Sequence, residues 1–554
     1  MIGFILAKFI YVMTNKEIAR YFNKLGKIMD LHDENPFKTR SYYNAYNTLR
    51  KVEKPFAEMD PDELINIKGV GKAIYAKINE LIETGELETY NKYADVTPPG
   101  VIEMLKVRGF GPKKIKIIWR ELGIETIGEL LYACNENRLI ELKGFGSKTQ
   151  ESLKQQLQYF IDSQGKYLYG YIEDEAQALI QSLKSHFPEE QHEVCGALRQ
   201  KDPIIESIEI LTTTSQEELK LKAEEIGLKS LNDNWFIDDY PVYFIHTSND
   251  DFVWQLFLYS ASDEFIDALG AEYDQYESEE AIFEDLGLPY IIPEMRHNAD
   301  VIDLADQGTL DEVIEVKDIK GLVHSHTTWS DGVHSLKQMA DHAQKLGMEY
   351  LVNSDHSKAA FYANGLDEDR VWQQFEEIDQ LNKGYEGFRI FKSIEADILN
   401  DGSMDYGNDF LSHFDLVIAS IHSNLKMDEG KANQRLITAI ENPNTHILGH
   451  PTGRLLLSRE GYPIDHMKII DACAANGMVI ELNSNPLRLD LDWTWISYAL
   501  EKGVMISINP DSHSKEQIDY IKYGVYVARK AGLTSEMCLN AKDLSEFSQW
   551  VKGL

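Results

Sequence analysis

Cysteine is scarce in this sequence. Four residues, Cys134, Cys195, Cys473 and Cys538, are spread over 554 positions with no CxxC pair among them. That spacing excludes a disulfide framework and a cysteine-built zinc site, and it suits a reducing, cytoplasmic setting. Long apolar runs are missing too. The nearest approach, residues 2–12, is interrupted by Lys8; it is too short to span a bilayer and no small-residue cleavage site follows it. Residues 1–13 are therefore read as an over-long start with Met13 as the natural beginning, a cleaved signal being the alternative, and no membrane partner is expected. Positive charge is the third shortage: 55 Lys+Arg face 91 Asp+Glu, a net charge of −36.

Where the cations lie matters more than their number. Residues 1–160 carry a balance of +3, residues 161–300 of −23 and residues 301–554 of −16. Phosphate-backbone binding depends on local neutralisation, so it belongs to the first segment, and the second should repel a duplex. A hydrophobic fraction of 43% with 10% aromatics fits ordinary globular domains, and the length implies three or more of them.

Three short patterns recur in the first segment: Ile67-Lys68-Gly69-Val70-Gly71-Lys72, Val107-Arg108-Gly109-Phe110-Gly111-Pro112 and Leu142-Lys143-Gly144-Phe145-Gly146-Ser147. Each joins a Gly-apolar-Gly turn to a helical pattern with a basic residue near its start (Lys72, Lys113, Lys148). Glycines permit the tight turn and close backbone approach, and a helix N-terminus adds a positive dipole end. Purely structural turns are the bland alternative. The three copies resemble helix-hairpin-helix motifs, which hold DNA by its backbone without reading sequence. With Asn35-Pro36-Phe37-Lys38-Thr39-Arg40, the segment resembles the amino-terminal domain of family X DNA polymerases. That resemblance implies a possible lyase position at Lys77, where an amine needs a lowered pKa; a solvated helix lysine is the alternative.

Residues 166–300 resemble the palm and thumb of the same polymerases. Where the resemblance calls for a Gly-Ser turn, the chain has Gly196-Ala197. Ser207 and Glu209 stand in place of two aspartates, and Tyr243 falls at the third. Two-metal nucleotidyl transfer needs carboxylates that fix both ions. Polymerase activity is therefore expected to be lost, unless Asp238-Asp239 serves instead.

From about residue 321 the texture changes. Apolar runs at 416–420, 478–482 and 504–508 read as buried parallel strands, with helical patterns such as 336–346 between them, which suggests a barrel-like α/β fold. Histidines and acids cluster at the strand ends: His324, His326, Asp331, His356, Glu395, His422, His450, Asp511 and His513. Imidazole–carboxylate sets without thiols suit zinc, manganese or iron. The segment resembles a PHP (polymerase and histidinol phosphatase) domain, and the whole order of parts resembles bacterial family X polymerases that carry one.

That resemblance implies a multidomain fold: an α-helical helix-hairpin-helix region, an α+β degenerate palm and thumb, and a distorted TIM-like (βα)7 barrel. The expected partition is 14–90 and 91–165 for the hairpin-bearing domains, 166–250 palm, 251–300 thumb-like, 301–318 linker and 319–554 PHP. It implies three divalent ions, with manganese for activity. One takes His324, His326, Glu395 and Asp511; a second shares Glu395 and takes His422 and His450; a third takes Asp331, His356 and His513. A metal-bound hydroxide held by Glu395, His422 and His450 would attack phosphorus, with Arg454 (or, less so, Lys358) as candidate phosphate binder and a structural salt bridge as the alternative for Arg454. His334, His342, His413 and His446 are read as structural or solvated.

The leading expectation is thus a DNA phosphoesterase of repair, acting as a 3′-to-5′ exonuclease, abasic-site endonuclease or 3′-phosphatase. A histidinol-phosphate-type phosphatase and a non-catalytic DNA-bound scaffold are the alternatives. The native metals and the oligomeric state are left open by the sequence.

Overall fold

The computed structural model describes residues 13–554 apart from Glu53, Arg108, Glu136, Asn137, Glu141, Lys143, Asn232, Asp233, Thr309, Asp311 and Glu312. The start extension expected over 1–13 therefore lies, but for Met13, outside the described residues. The chain divides into two compact units, one ending at Gln164 and the other running from Gly165 to Leu554.

The first unit is helical. Its opening helix, Asn15–Leu31, starts at a capping box in which Thr14 and Glu17 satisfy each other's backbone N–H groups. It buries Ile18, Phe22, Leu25 and Met29, a helical stripe, against the helix Pro36–Leu49. The three Gly-x-Gly patterns share one local geometry. Gly69, Gly109 and Gly144 have φ of +89°, +72° and +91°, where a side chain would be strained. Gly71, Gly111 and Gly146 then stand at the N-cap of helices Lys72–Thr84, Pro112–Leu122 and Ser147–Asp162. The central Val70, Phe110 and Phe145 are buried and anchor each turn in the core. The expected boundary between residues 90 and 91 cuts through the helix Glu88–Ala94, so packing puts no break there.

The second unit holds a five-stranded mixed sheet and a seven-stranded parallel one. In the smaller sheet, Ile208–Thr212 pairs in parallel with Tyr240–His246. The larger runs Gly321–Ser325, Tyr350–Asn353, Arg389–Asp397, Leu416–Ser420, Ile447–Leu448, Val479–Asn483 and Ile506–Asn509, in that spatial order, as a nearly closed barrel. A bridge between Ser325 and Ser512, with the His326 N–H donating to the Ser512 carbonyl at 2.8 Å, joins the first strand to the chain beyond the last. Helices cover the outer face, so strands such as Gly321–Ser325, Leu416–Ser420 and Val479–Asn483 are buried from end to end, as parallel strands usually are.

The separate palm, thumb-like, linker and barrel segments expected from sequence are drawn differently by packing. Ile172, Ile208 and Val242 share one continuous core with barrel residues such as Leu322 and Ile508. The segment expected as a linker, 301–318, takes up all but the first residue of the helix Asp300–Asp306. Lys530, whose side chain is fully buried, donates to Asp202 at 2.7 Å and to the Gln200 carbonyl at 2.8 Å, and Arg529 pairs with Glu294 at 2.8 Å. A buried ammonium is tolerated only where such partners meet it.

Candidate metal centre

Side chains two apart on a strand share a face, and that rule furnishes the barrel interior. Glu395 and Asp397, Glu481 and Asn483, and Ser507 and Asn509 all lie buried at the carboxyl ends of their strands. His324, His450 and Asp511 sit just at or past strand ends with positive φ of +60°, +24° and +50°. Non-glycine residues pay for such a backbone, and it is kept where surrounding structure holds a side chain in a required place.

All nine sequence-predicted residues come together. Glu395 is the hub. Its carboxylate lies 3.3 Å from His324, 3.7 Å from His326, 2.8 Å from His356, 3.1 Å from His422 and 3.1 Å from His450. Asp511 stands 3.0 Å from His326 and 3.6 Å from His324. Asp331 lies 3.3 Å from His513 and 3.7 Å from His356. Three sets have ligand atoms close enough to share an ion: His324, His326 and Asp511; His356, Glu395 and His422; and His326, Asp331, His356 and His513. This grouping, drawn among the described residues, differs from the expected partition in leaving Glu395 out of the first set, in adding His326 to the third and in placing His356 in the set of Glu395 and His422, although His450 also lies 3.1 Å from Glu395. The site is deep at His324 and open at Asp331 and His513, whose side chains keep about a third of their exposure.

Several ring nitrogens are aimed by hydrogen-bond partners, two of which, Glu481 and Asp397, sequence reasoning gave no role. His324 Nδ1 lies 2.6 Å from Glu481, which also accepts from Asn483, Asn509 and the His450 N–H. His422 Nδ1 meets Asp397 at 2.5 Å, and His513 Nδ1 meets its neighbour Asp511's carbonyl at 2.9 Å. In each case Nε2 is left facing the cluster, the arrangement that presents a lone pair to a metal. Asp355, fully buried, accepts from Thr327, Ser330 and Gln374 and so shapes the loop carrying Asp331.

The residues fit a cation. His324 Nε2, His326 Nδ1, His356 Nδ1 and Glu395 Oε2 are buried with no hydrogen-bond partner, a cost that bound ions would remove. Burial opposes charge on His422, yet Glu395 and Asp397 push it up to about 10; burial likewise opposes charge on His513, yet Asp331 and Asp511 push it up to about 9. The carboxylates thus demand positive charge where the imidazoles meet.

Arg454 is placed elsewhere. Its guanidinium binds Asp492 and the carbonyls of Leu489 and Arg488, which fixes a loop. Lys358 pairs with Glu368 at 2.6 Å. The guanidinium nearest the cluster is Arg488, 3.8 Å from Asp511 and mostly buried. Of the other histidines singled out, His334 accepts from the Lys515 N–H, His413 packs on Trp372 and His446 accepts from the Val417 N–H, while His342 stands half-buried on the helix Leu336–Lys345.

Comparison with known proteins agrees with this layout. A helix-hairpin-helix domain model matches residues 13–87 and a SAM-like helix-hairpin-helix tandem matches 101–158. The DNA polymerase/3′-5′ exonuclease PolX of Bacillus subtilis is 32% identical, over 98% of this chain and 100% of its own. The chain belongs to the bacterial PolX family, family X polymerases with a PHP domain. Proteins described as probable phosphatases, from Thermoanaerobacter sp. and Acetivibrio thermocellus, are similar to a smaller part of this PolX-family chain. They are 28% and 26% identical over 41% of it, each across 93% of its own length.

The palm positions of this PolX member can then be placed. Glu209 and Tyr243 are direct partners on adjacent parallel strands, and Ser207 Oγ lies 3.5 Å from Glu209. Asp238 and Asp239 are at the hairpin turn between Asn234–Ile237 and Tyr240–His246, where Asp238 faces Lys229 at 3.7 Å. Arg199 and Arg296 both pair with Glu279. In the helical unit, Lys77 donates to Thr89 at 2.6 Å, and burial pulls its ammonium below the usual range.

Proposed function

We propose that this chain is a metal-dependent DNA phosphoesterase of repair, a 3′-to-5′ exonuclease, abasic-site endonuclease or 3′-phosphatase working in the cytoplasm, with polymerase activity lost. The observation that carries this reading is the convergence of five imidazoles on Glu395, with Asp511 beside His324 and His326 and Asp331 beside His356 and His513. Three divalent ions would be held by His324, His326, Glu395 and Asp511, by Glu395, His422 and His450, and by Asp331, His356 and His513. When bound, such ions, of zinc, iron or most effectively manganese, lower the pKa of an attacking water and offset charge on phosphoryl oxygens.

The chain's own residues do the positioning. Glu481 and Asp397 fix the tautomers of His324 and His422, and Asp355 holds the Asp331 loop. Arg488 binds a phosphoryl oxygen at the rim, the role first considered for Arg454. The open side at Asp331 and His513 admits the substrate. The hairpin N-termini at Gly69–Gly71, Gly109–Gly111 and Gly144–Gly146, with exposed Lys72, Lys113 and Lys148, hold DNA by its backbone without sequence preference.

Loss of polymerase activity is supported by the palm. One carboxylate, Glu209, stands among Ser207, Glu209 and Tyr243, and Asp238 and Asp239 are spent on a turn. Template-directed extension by the purified protein would contradict it.

Purified protein with added manganese should hydrolyse labelled 3′-recessed, abasic or 3′-phosphorylated DNA, and His422→Ala should not. A second reading, a small-molecule phosphatase of the histidinol-phosphate type, is favoured by the relatives named as probable phosphatases, which match little beyond the length of a barrel. Turnover of histidinol phosphate but of no DNA would decide for it; hydrolysis of neither would leave a scaffold.

A further inference from the structure

The loop that follows His356 carries two large rings with no role in folding. Phe361 and Tyr362 are 84% and 62% exposed, pack on each other edge to face at 5.9 Å, and belong to no part of the barrel core. Exposed aromatics on a mobile loop would mean little. This loop is tied down on both sides of the rings: the Leu366 N–H donates to the His356 carbonyl at 2.8 Å, and the Ala359 N–H donates to Asp405 at 2.9 Å. Asn364, at φ +56°, donates to the carbonyls of Trp329 and Ser330 at 3.1 and 3.2 Å, and Arg370 clamps Asn364, Gly365 and Trp329 together.

The rings are thus fixed beside the segment that bears Asp331, at the open side of the cluster. A small ligand is usually enclosed by its site, whereas rings left standing in solvent suit one end of a polymer that extends beyond it. Flat apolar faces beside a phosphate-binding cation are what a nucleobase requires.

Resting on the phosphoesterase reading above, we propose that Phe361 and Tyr362 form a stacking platform for the nucleobase of the terminal nucleotide of single-stranded DNA. Specificity for a base-bearing end then comes from this loop, and the metal cluster supplies none of it.

The test uses the manganese-loaded full chain and single-stranded oligonucleotides that end in either a normal or a base-free 3′ nucleotide. Phe361→Ala should raise KM for the normal end about tenfold, within the range for one lost stack, while kcat changes little, and Phe361→Trp should restore it. Removing the base should cost the wild type the same factor, and should add nothing to the cost in Phe361→Ala. Equal base-removal penalties in wild type and variant would overturn the platform and leave DNA hydrolysis intact. Failure of the wild type to hydrolyse any DNA would overturn both.

Discussion

The His324 imidazole and the Glu481 carboxylate, 157 positions apart in the chain, meet at 2.6 Å with both side chains fully buried. Glu481 sets which nitrogen of His324 faces Glu395 and Asp511, and it also accepts the His450 N–H at 3.1 Å.

Glu481→Gln keeps an acceptor but removes the charge that raises the basicity of His324. Partners of this kind contribute about 10- to 100-fold to metal affinity. Manganese titration followed by calorimetry should show a loss of that order, with hydrolysis partly recovered at high metal. Unaltered affinity would remove Glu481 from the site's workings.

Arg488 and Arg454 should separate cleanly. A hydrogen bond to a charged group is worth about 1.5–3 kcal/mol, so Arg488→Ala should raise KM for DNA by roughly 10- to 100-fold with little change in melting temperature. Arg454→Ala removes the ion pair with Asp492 and the donor to the carbonyls of Arg488 and Leu489, and should lower stability by about 1–3 kcal/mol. The reverse pattern in paired melting and kinetic measurements would return the phosphate to Arg454.

The hairpin contacts should be read through salt. Each phosphate neutralised on a duplex contributes about −0.9 to the slope of log affinity against log salt. Replacing Lys72, Lys113 and Lys148 together with alanine should make that slope shallower by about 2 to 3 in a fluorescence titration. An unchanged slope would put the DNA contacts elsewhere.

His446 predicts an acid-sensitive barrel. Its Nδ1 accepts the Val417 N–H at 3.0 Å, which requires a neutral ring, and burial pushes its pKa from 6.5 down to about 4. With the folded value below the unfolded one, protons favour the unfolded chain. The contribution is complete above about pH 6.5 and is lost as pH falls towards 4, a change of roughly 3 kcal/mol. His446→Asn keeps an acceptor that cannot charge, so its urea midpoint should fall less than the wild type's between pH 7 and 5; parallel curves would exclude this histidine.

The hairpins and the nine candidate ligands were legible because their signals are local. A Gly-apolar-Gly turn states its own geometry, and a His or Asp after an apolar run marks a strand end. The strands expected at 478–482 and 504–508 were found at Val479–Asn483 and Ile506–Asn509, a shift of one or two residues where ladder pairing sets the limit. Asp397 stands two residues after Glu395, yet nothing in its neighbourhood separates it from an ordinary acidic residue. Glu481 looked like one polar interruption in a strand. Arg454 drew attention by lying four residues after His450, but its partners come from the loop around Leu489.

The sequence alone thus determined the three hairpin turns, several barrel strands and which side chains are candidate ligands, because helix caps, turn glycines and strand alternation act between neighbours. Only the tertiary structure decided that palm and barrel share one core, that Arg488 rather than Arg454 stands beside Asp511, and that Glu481 aims His324. Those outcomes depend on how distant strands and loops are brought together when the barrel closes, and no short stretch of chain encodes that distance.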